Sequence, residues 1–185
     1  TEQYRYCEMT EAQSKFYDKE KSSVRNEIMD IIGEKTILKS SLLIIQGLTK
    51  LRQIANHPSL VDSNYSYESG KFYEITDTLN NIIAENHKVL VFSSFVKHLE
   101  LVEDYINEKK WQYSKLIGST TNRDEQVKRF EKEDDNRIFL ISLKAGGVGL
   151  NLTAADYVLI IDPWWNPAAE LHAINRAHSI GQDKN

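Results

Sequence analysis

A single cysteine, Cys7, stands in the whole chain, so no internal disulfide is available and a reduced, intracellular compartment is expected. Three prolines and eight glycines in 185 residues leave no room for low-complexity linkers. The longest apolar runs, such as Leu42 to Ile45 and Tyr157 to Ile161, fall far short of the roughly 20 residues that cross a bilayer, so no membrane span is expected. No signal-like segment opens the sequence. Positive charge is not in excess either. With 23 Lys and Arg against 27 Asp and Glu, the net charge is −4. That excludes coating of nucleic acid through bulk charge, yet leaves room for a local groove built from a few placed donors. Gly-Lys followed by Ser or Thr occurs nowhere, so the chain carries no triphosphate-binding loop. His57 has no second His or Cys at ligand spacing, and no metal site is expected.

What is present divides at about residue 70. Thr10-Glu11-Ala12-Gln13 has the form of a capping box and predicts a helix start. Phe16, Val24, Ile28, Ile31 and Ile32 form a loose helical stripe with Gly33 as its stop. A second helix is predicted over Thr36 to Asn56, ended by His57-Pro58, because the residue before proline resists helical geometry. Residues 59–70 read as a polar loop, and Lys71 to Asn86 as a third helix. Beyond this, short branched runs at Lys88 to Phe92, Tyr113 to Ile117, Arg137 to Ser142 and Tyr157 to Ile161 alternate with helical stretches at Val96 to Lys110 and Asn122 to Lys132. Such alternation predicts βαβ units and a parallel sheet covered on both faces. Asn166 and Pro167 mark the start of a last helix.

Several segments of the second part suit phosphate or nucleic-acid chemistry. Ala145 to Leu152 is a glycine-rich turn after a strand, where backbone can approach a phosphate closely. It does not fit the dinucleotide fingerprint, since counting from Gly147 and Gly149 the third glycine position is Leu152. A tight crossover turn without ligand is the alternative. His172, Arg176 and Ser179 share one face of the last helix, where Arg176 either clamps a phosphate or pairs with Glu170 on the surface. Trp164 and Trp165 follow a strand end, where one ring is expected to pack and the other to be more exposed and able to stack on a sugar or base. Gly118 to Arg123 follows a strand and opens a helix. Ser119, Thr120 and Arg123 there make either a site for backbone phosphate or ordinary capping.

Taken in order, LRQIANHPSL, SGKF, KVLVFSSF, LIGSTTNR, FLISLKAGGVGLNLTAADYVLIIDPWWNP and INRAHSIGQDK resemble the Swi/Snf-type helicase-like ATPases, DNA translocases that include chromatin remodellers. The resemblance covers nearly the whole chain. It implies an α/β, RecA-like second lobe at residues 71–185, truncated after helicase motif VI, with a helical subdomain at residues 1–70. In this family ATP binds between two lobes, and the triphosphate loop and Mg2+-binding acidic motif belong to the first lobe. The implied ligands are therefore ATP, with Mg2+ held by that lobe, and the implied partners are double-stranded DNA and the first lobe of the same protein. The chain is read as an excised or truncated, monomeric piece, nuclear in a eukaryote and in the cytoplasm or nucleoid of a bacterium.

By the same resemblance KVLVFSSF matches motif IV and makes Ser93 a DNA-side residue. Ser142 to Leu152 matches motif V, with Ser142 and Lys144 on the DNA side and Gly147, Gly149 and Asn151 on the nucleotide side. Trp165 falls in a DNA-proximal segment. Motif VI begins near Glu170, with His172 and Arg176 toward the nucleotide and Arg176 as the catalytic cation. Here the chain departs from the family. A second arginine is usual where Ser179 stands, His172 replaces the usual glutamine, and Asn175 replaces a frequent aspartate. An arginine finger contributes a factor of roughly 10³–10⁵ in rate, and serine carries no charge to substitute for it. Impaired ATP turnover is the resulting hypothesis. Its alternatives are that Arg176 shifts into the role, or that the lobe is a degenerate docking module for DNA or a partner. An RNA-directed helicase is disfavoured by LRQIANHP and the tryptophan pair, which resemble the duplex-DNA translocases.

Overall fold

Eleven short elements arise from this pattern in a computed structural model that describes residues 2–32, 37–146, 152–164 and 168. The chain forms two compact units, Tyr4–Glu74 and a second from Ile75 onward that also takes in residues 1–3.

In the first unit, α1 (Glu11–Ile32) and α2 (Ile37–Asn56) pack antiparallel. A Cβ on Gly47 would lie 2.4 Å from Val24 Cγ1, so the glycine lets the helices close at that level. Thr10 Oγ1 accepts the Gln13 N–H at 3.2 Å, which is half of the predicted capping box. The other half does not form, because the fully buried Gln13 amide is used elsewhere. Its Nε2 donates to the carbonyls of Ile54 and Ala55 at 3.0 and 3.2 Å, and its Oε1 accepts from Gly70 N at 3.1 Å. One side chain thus satisfies carbonyls left over at the end of α2 and an N–H left over at the start of α3 (Gly70–Ala84).

The segments LRQIANHPSL and SGKF meet in this unit. His57 N–H closes α2 on Gln53 O at 2.9 Å, and His57 Nδ1 accepts from Ser59 N at 3.2 Å to cap a 3-10 turn, Pro58–Leu60, inside the predicted loop. The ring packs edge-on against Tyr65 and Phe72. Ser69 Oγ donates to Asn56 O at 2.6 Å and accepts from Phe72 N, and Lys71 Nζ donates to Asn56 Oδ1 at 2.7 Å. Gly70 is fixed by contact, since a Cβ there would stand 1.8 Å from Glu8 O.

In the second unit β1 (Val89–Ser93), β2 (Gln112–Leu116), β3 (Asn136–Ser142) and β4 (Tyr157–Ile160) form one sheet in the order β2-β3-β1-β4, with every pair parallel. Between them lie α4 (Val96–Glu108), α5 (Arg123–Lys132) and a single turn, α6 (Leu143–Gly146). Right-handed crossovers put α4 and α5 on opposite faces, because β1→β2 and β2→β3 run in opposite directions across the sheet. Leu90, Phe92, Phe139 and Ile141 point to the α5 side and pack with Phe130, Ala145, Leu152 and Trp164. Val89, Val91, Ile138 and Leu140 point the other way and are equally buried, as are Leu99, Val102 and Ile106 of α4. Burying each such side chain stabilises the fold by about 1.5–3 kcal/mol.

Two helices, α3 and α4, stop without glycine. Asn86 (φ 62°) and Lys110 (φ 58°) take the left-handed position. Paired bonds follow at each, His87 N to Ile82 O with Asn86 N to Ile83 O, and Trp111 N to Ile106 O with Lys110 N to Asn107 O. At the far end of α5, Lys88 Nζ donates to Phe130 O and to Glu133 O, meeting the negative end of the helix. Its partial burial lowers the Lys88 pKa below the usual lysine value.

Two outcomes follow from the packing. Gly70→Ala forces a methyl group into the Glu8 carbonyl and is expected to cost at least about 3 kcal/mol, roughly 6–12 °C in Tm, by thermal unfolding. Gly118→Ala, with nothing within 4 Å of its added Cβ, serves as the control with little change. His57 is held below its ordinary pKa by burial and accepts a hydrogen bond that only the neutral ring can accept. Its contribution is therefore present above pH 6.5 and lost as pH falls from there toward the lowered folded value. Denaturant unfolding at pH 7.5 and 5.0 should show a smaller loss for His57→Asn than for the parent; an equal loss refutes the assignment.

Candidate nucleotide and nucleic-acid edge of the sheet

Because all four strands are parallel, their carboxyl ends open onto one edge, where ligands of α/β sheets gather. Four loops leave that edge: Ser93 to Phe95 after β1, Ile117 to Asn122 after β2, Ser142 to Gly146 after β3, and Ile161 to Trp164 after β4. Among the residues that the sequence singles out, they hold Ser93, Ser119, Thr120, Ser142, Lys144 and Trp164.

The β1 and β4 loops are fastened together. Ile161 N donates to Phe92 O at 3.1 Å. The next residue, Asp162, is 1% exposed and its carboxylate receives four hydrogen bonds. Ser93 Oγ donates to Oδ1 at 2.5 Å, Ser94 N lies 3.2 Å from Oδ1 and 3.1 Å from Oδ2, and Ser94 Oγ donates to Oδ2. Ser93 Oγ also accepts from Phe95 N at 3.0 Å. The side chain of Ser93, which the resemblance puts on the DNA side, points into the interior. Its hydroxyl is fully buried and donates to Asp162, which shapes the turn.

Ser142 pairs with Ser93 across β1 and β3 and is 4% exposed. Its Oγ accepts from Ala145 N at 3.4 Å, capping α6. The hydroxyl faces inward, while Lys144, two residues on, is exposed. The front of the glycine-rich stretch, Ala145 and Gly146, is therefore part of a helical turn. Gly146 owes its place to packing, for a Cβ would lie 3.2 Å from both Ile141 Cγ2 and Phe92 Cε1.

In the β2 loop Thr120 Oγ1 accepts from Ile117 N at 2.9 Å, closing the turn from inside. Ser119 is exposed and Arg123, at the first position of α5, is half-buried. Asn122 precedes the helix but makes no capping bond to it; its amide donates to Glu125 Oε2 at 2.9 Å. α5 is held to the sheet by Ser114, which donates to Gln126 O, and by Lys115 N, which donates to Gln126 Oε1.

Trp164 is the packed ring, 8% exposed and edge-on to Phe92 at 6.1 Å and 81°. Trp165, Gly147, Gly149, Asn151, His172, Arg176 and Ser179 lie outside the described residues. Among the described residues no group of three or more His, Cys, Asp or Glu side chains is placed to hold a metal ion, and no helix is long and apolar enough to cross a membrane. Sequence reasoning passed over Asp162 and Ser94. The available signal was an aspartate two residues after a parallel strand, facing two hydroxyl residues at the end of its neighbour.

Residues 73–181 match the helicase conserved C-terminal domain. The ATP-dependent DNA helicase DDM1 of Arabidopsis thaliana is 37% identical over 97% of this chain and 25% of its own length. Among solved structures, the C-terminal part of the Fun30 ATPase domain superposes with a TM-score of 0.79 at 26% identity, covering 98% of this chain and 81% of that one. The Sulfolobus solfataricus SWI2/SNF2 ATPase core in complex with dsDNA gives a TM-score of 0.81 at 28% identity, over 97% of this chain and 38% of the other. The chain thus spans about a quarter of the length of the DDM1 relative. Its parallel sheet with covering helices matches the RecA-like fold of the SNF2 C-terminal lobe, and the chain belongs to the helicase conserved C-terminal domain family, among relatives of the SWI2/SNF2 type.

Proposed function

We propose that the chain works as the second RecA-like lobe of an ATP-dependent double-stranded DNA translocase, with residues 1–70 as its helical subdomain and residues 71–185 as the lobe proper. The observation that carries this reading is the single sheet edge onto which the motif loops open, in a chain whose likeness extends to a SWI2/SNF2 core in complex with dsDNA. On this reading Lys144, Ser119, Arg123 and Trp165 meet the DNA backbone, while Ser142 and Thr120 hold the turns that present them. Most of these contacts go to phosphate, so sequence preference is weak and salt dependence marked. Gly147, Gly149, Asn151 and His172 lie toward ATP, and Arg176 reaches the triphosphate when the lobes close. ATP is shared with the first lobe, which holds Mg2+. The working protein is a monomer, in the nucleus of a eukaryote or the cytoplasm or nucleoid of a bacterium.

Ser179 favours a second reading, a lobe kept for DNA or partner docking without hydrolysis. The two separate in an ATPase assay on a protein in which this chain is joined to a first lobe. Translocase function requires turnover stimulated by duplex DNA more than by RNA, with none from the isolated chain. Arg176→Ala should then cut turnover by roughly 10³-fold or more. Ser179→Arg should raise it; full parental activity unchanged by that substitution removes the impairment hypothesis, and DNA binding without any turnover selects the docking module.

Lys144→Ala gives an independent check on the DNA face. Affinity for duplex DNA should fall alike across sequences, and the slope of log affinity against log salt should drop by about 1, as for loss of one phosphate contact. An unchanged slope in a salt titration places Lys144 away from DNA.

A further inference from the structure

We infer that Asp162 is a positioning residue that locks the loops after β1 and β4 into one rigid edge, and so sets where the tryptophan-bearing loop meets DNA. The inference rests on the translocase reading above. Three of the four residues after β4 are anchored on β1 and its loop: Ile161 through its N–H on Phe92 O, Asp162 through its carboxylate on Ser93 and Ser94, and Trp164 through its ring on Phe92. Pro163 between them has its φ fixed by its ring. The chain is therefore held to β1 and its loop at three points between the end of the strand and Trp164.

The choice of an aspartate is informative. The carboxylate is 1% exposed, and the donors that bind it through these bonds are uncharged hydroxyls and one backbone N–H. Burying a carboxylate is expensive even when it is hydrogen-bonded, and apolar packing would hold two loops at lower cost. A carboxylate supplies about four acceptor sites in one plane, and here they take both serine hydroxyls and the Ser94 N–H together. What the group adds over a packed apolar residue is a fixed direction between the loops. Ser93 then transmits that direction to Phe95, the residue before α4, through the Phe95 N–H.

The test is duplex-DNA-stimulated ATPase of the two-lobe protein carrying Asp162→Asn or Ser94→Ala, with thermal unfolding of the same samples. Asp162→Asn keeps one acceptor oxygen and turns an amide toward the serines. It should raise the DNA concentration for half-maximal stimulation about tenfold, the scale of one lost charge-assisted hydrogen bond. Ser94→Ala should raise it about threefold, in keeping with loss of a single hydroxyl bond. The maximal rate at saturating DNA and the KM for ATP should each stay within about twofold in both variants, the split expected when binding geometry and not chemistry is lost. Unchanged DNA dependence overturns the inference. So does a parallel fall of maximal rate, ATP affinity and Tm, which would mark Asp162 as structural only. A parent protein with no DNA stimulation overturns the translocase reading itself, whereas a stimulated parent with unaltered variants overturns the positioning role alone.

Discussion

The sheet has one direction, and most of what the second unit does follows from that. β1 and β3 lie in its middle and nearly every residue on both is buried, so each must be apolar on two faces and covered by helix on both. Covering both faces of a parallel sheet demands crossovers of one hand. Those crossovers return every strand with its carboxyl end at the same edge. Loops from positions 94, 117, 143 and 161, far apart in sequence, are gathered by backbone topology before any side chain of the site is chosen.

At that edge the polar side chains divide by direction. Ser93, Thr120 and Ser142 turn their hydroxyls inward and close turns. Lys144 and Ser119 face outward. The inward group costs buried polar surface and is satisfied bond by bond, as buried hydroxyls must be. The outward group keeps its hydration until a ligand replaces it. A rigid edge with a small set of solvated donors fits phosphate recognition that follows backbone and ignores sequence.

Much of the fold was legible in the residues. The branched runs at Val89 to Ser93 and Asn136 to Ser142 are too short and too apolar for anything but buried strands, and the helices between them follow the 3.6-residue period. The direction of a hydroxyl was not legible. Ser93 ends its strand and Thr120 and Ser119 sit just beyond theirs, all leading into or within polar loops, and only the finished turn decides which face in. Gln13 shows the same limit. Its spacing from Thr10 fits a capping box, yet burial against the end of α2 offered it three longer-range partners. Gly146 and Gly70 were visible as glycines, but crowding by Phe92 and by the Glu8 carbonyl is a property of the assembled chain. The glycine-rich stretch from Gly147 and the motif VI helix lie outside the described residues, so their expected roles rest on resemblance.

The stretch before α1 looks like a trailing lead-in, yet Glu8 lends its carbonyl to the wall that Gly70 presses on and Thr10 donates to Glu68 O at 3.0 Å. Residues 8–13 and 54–70 therefore form a closed clasp around the first unit. Anyone dividing this protein into smaller self-standing pieces would have to cut upstream of Glu8. A fragment begun at the first helical residue would leave the entrance to α3 unwalled and strip the partner that Thr10 gives to Glu68.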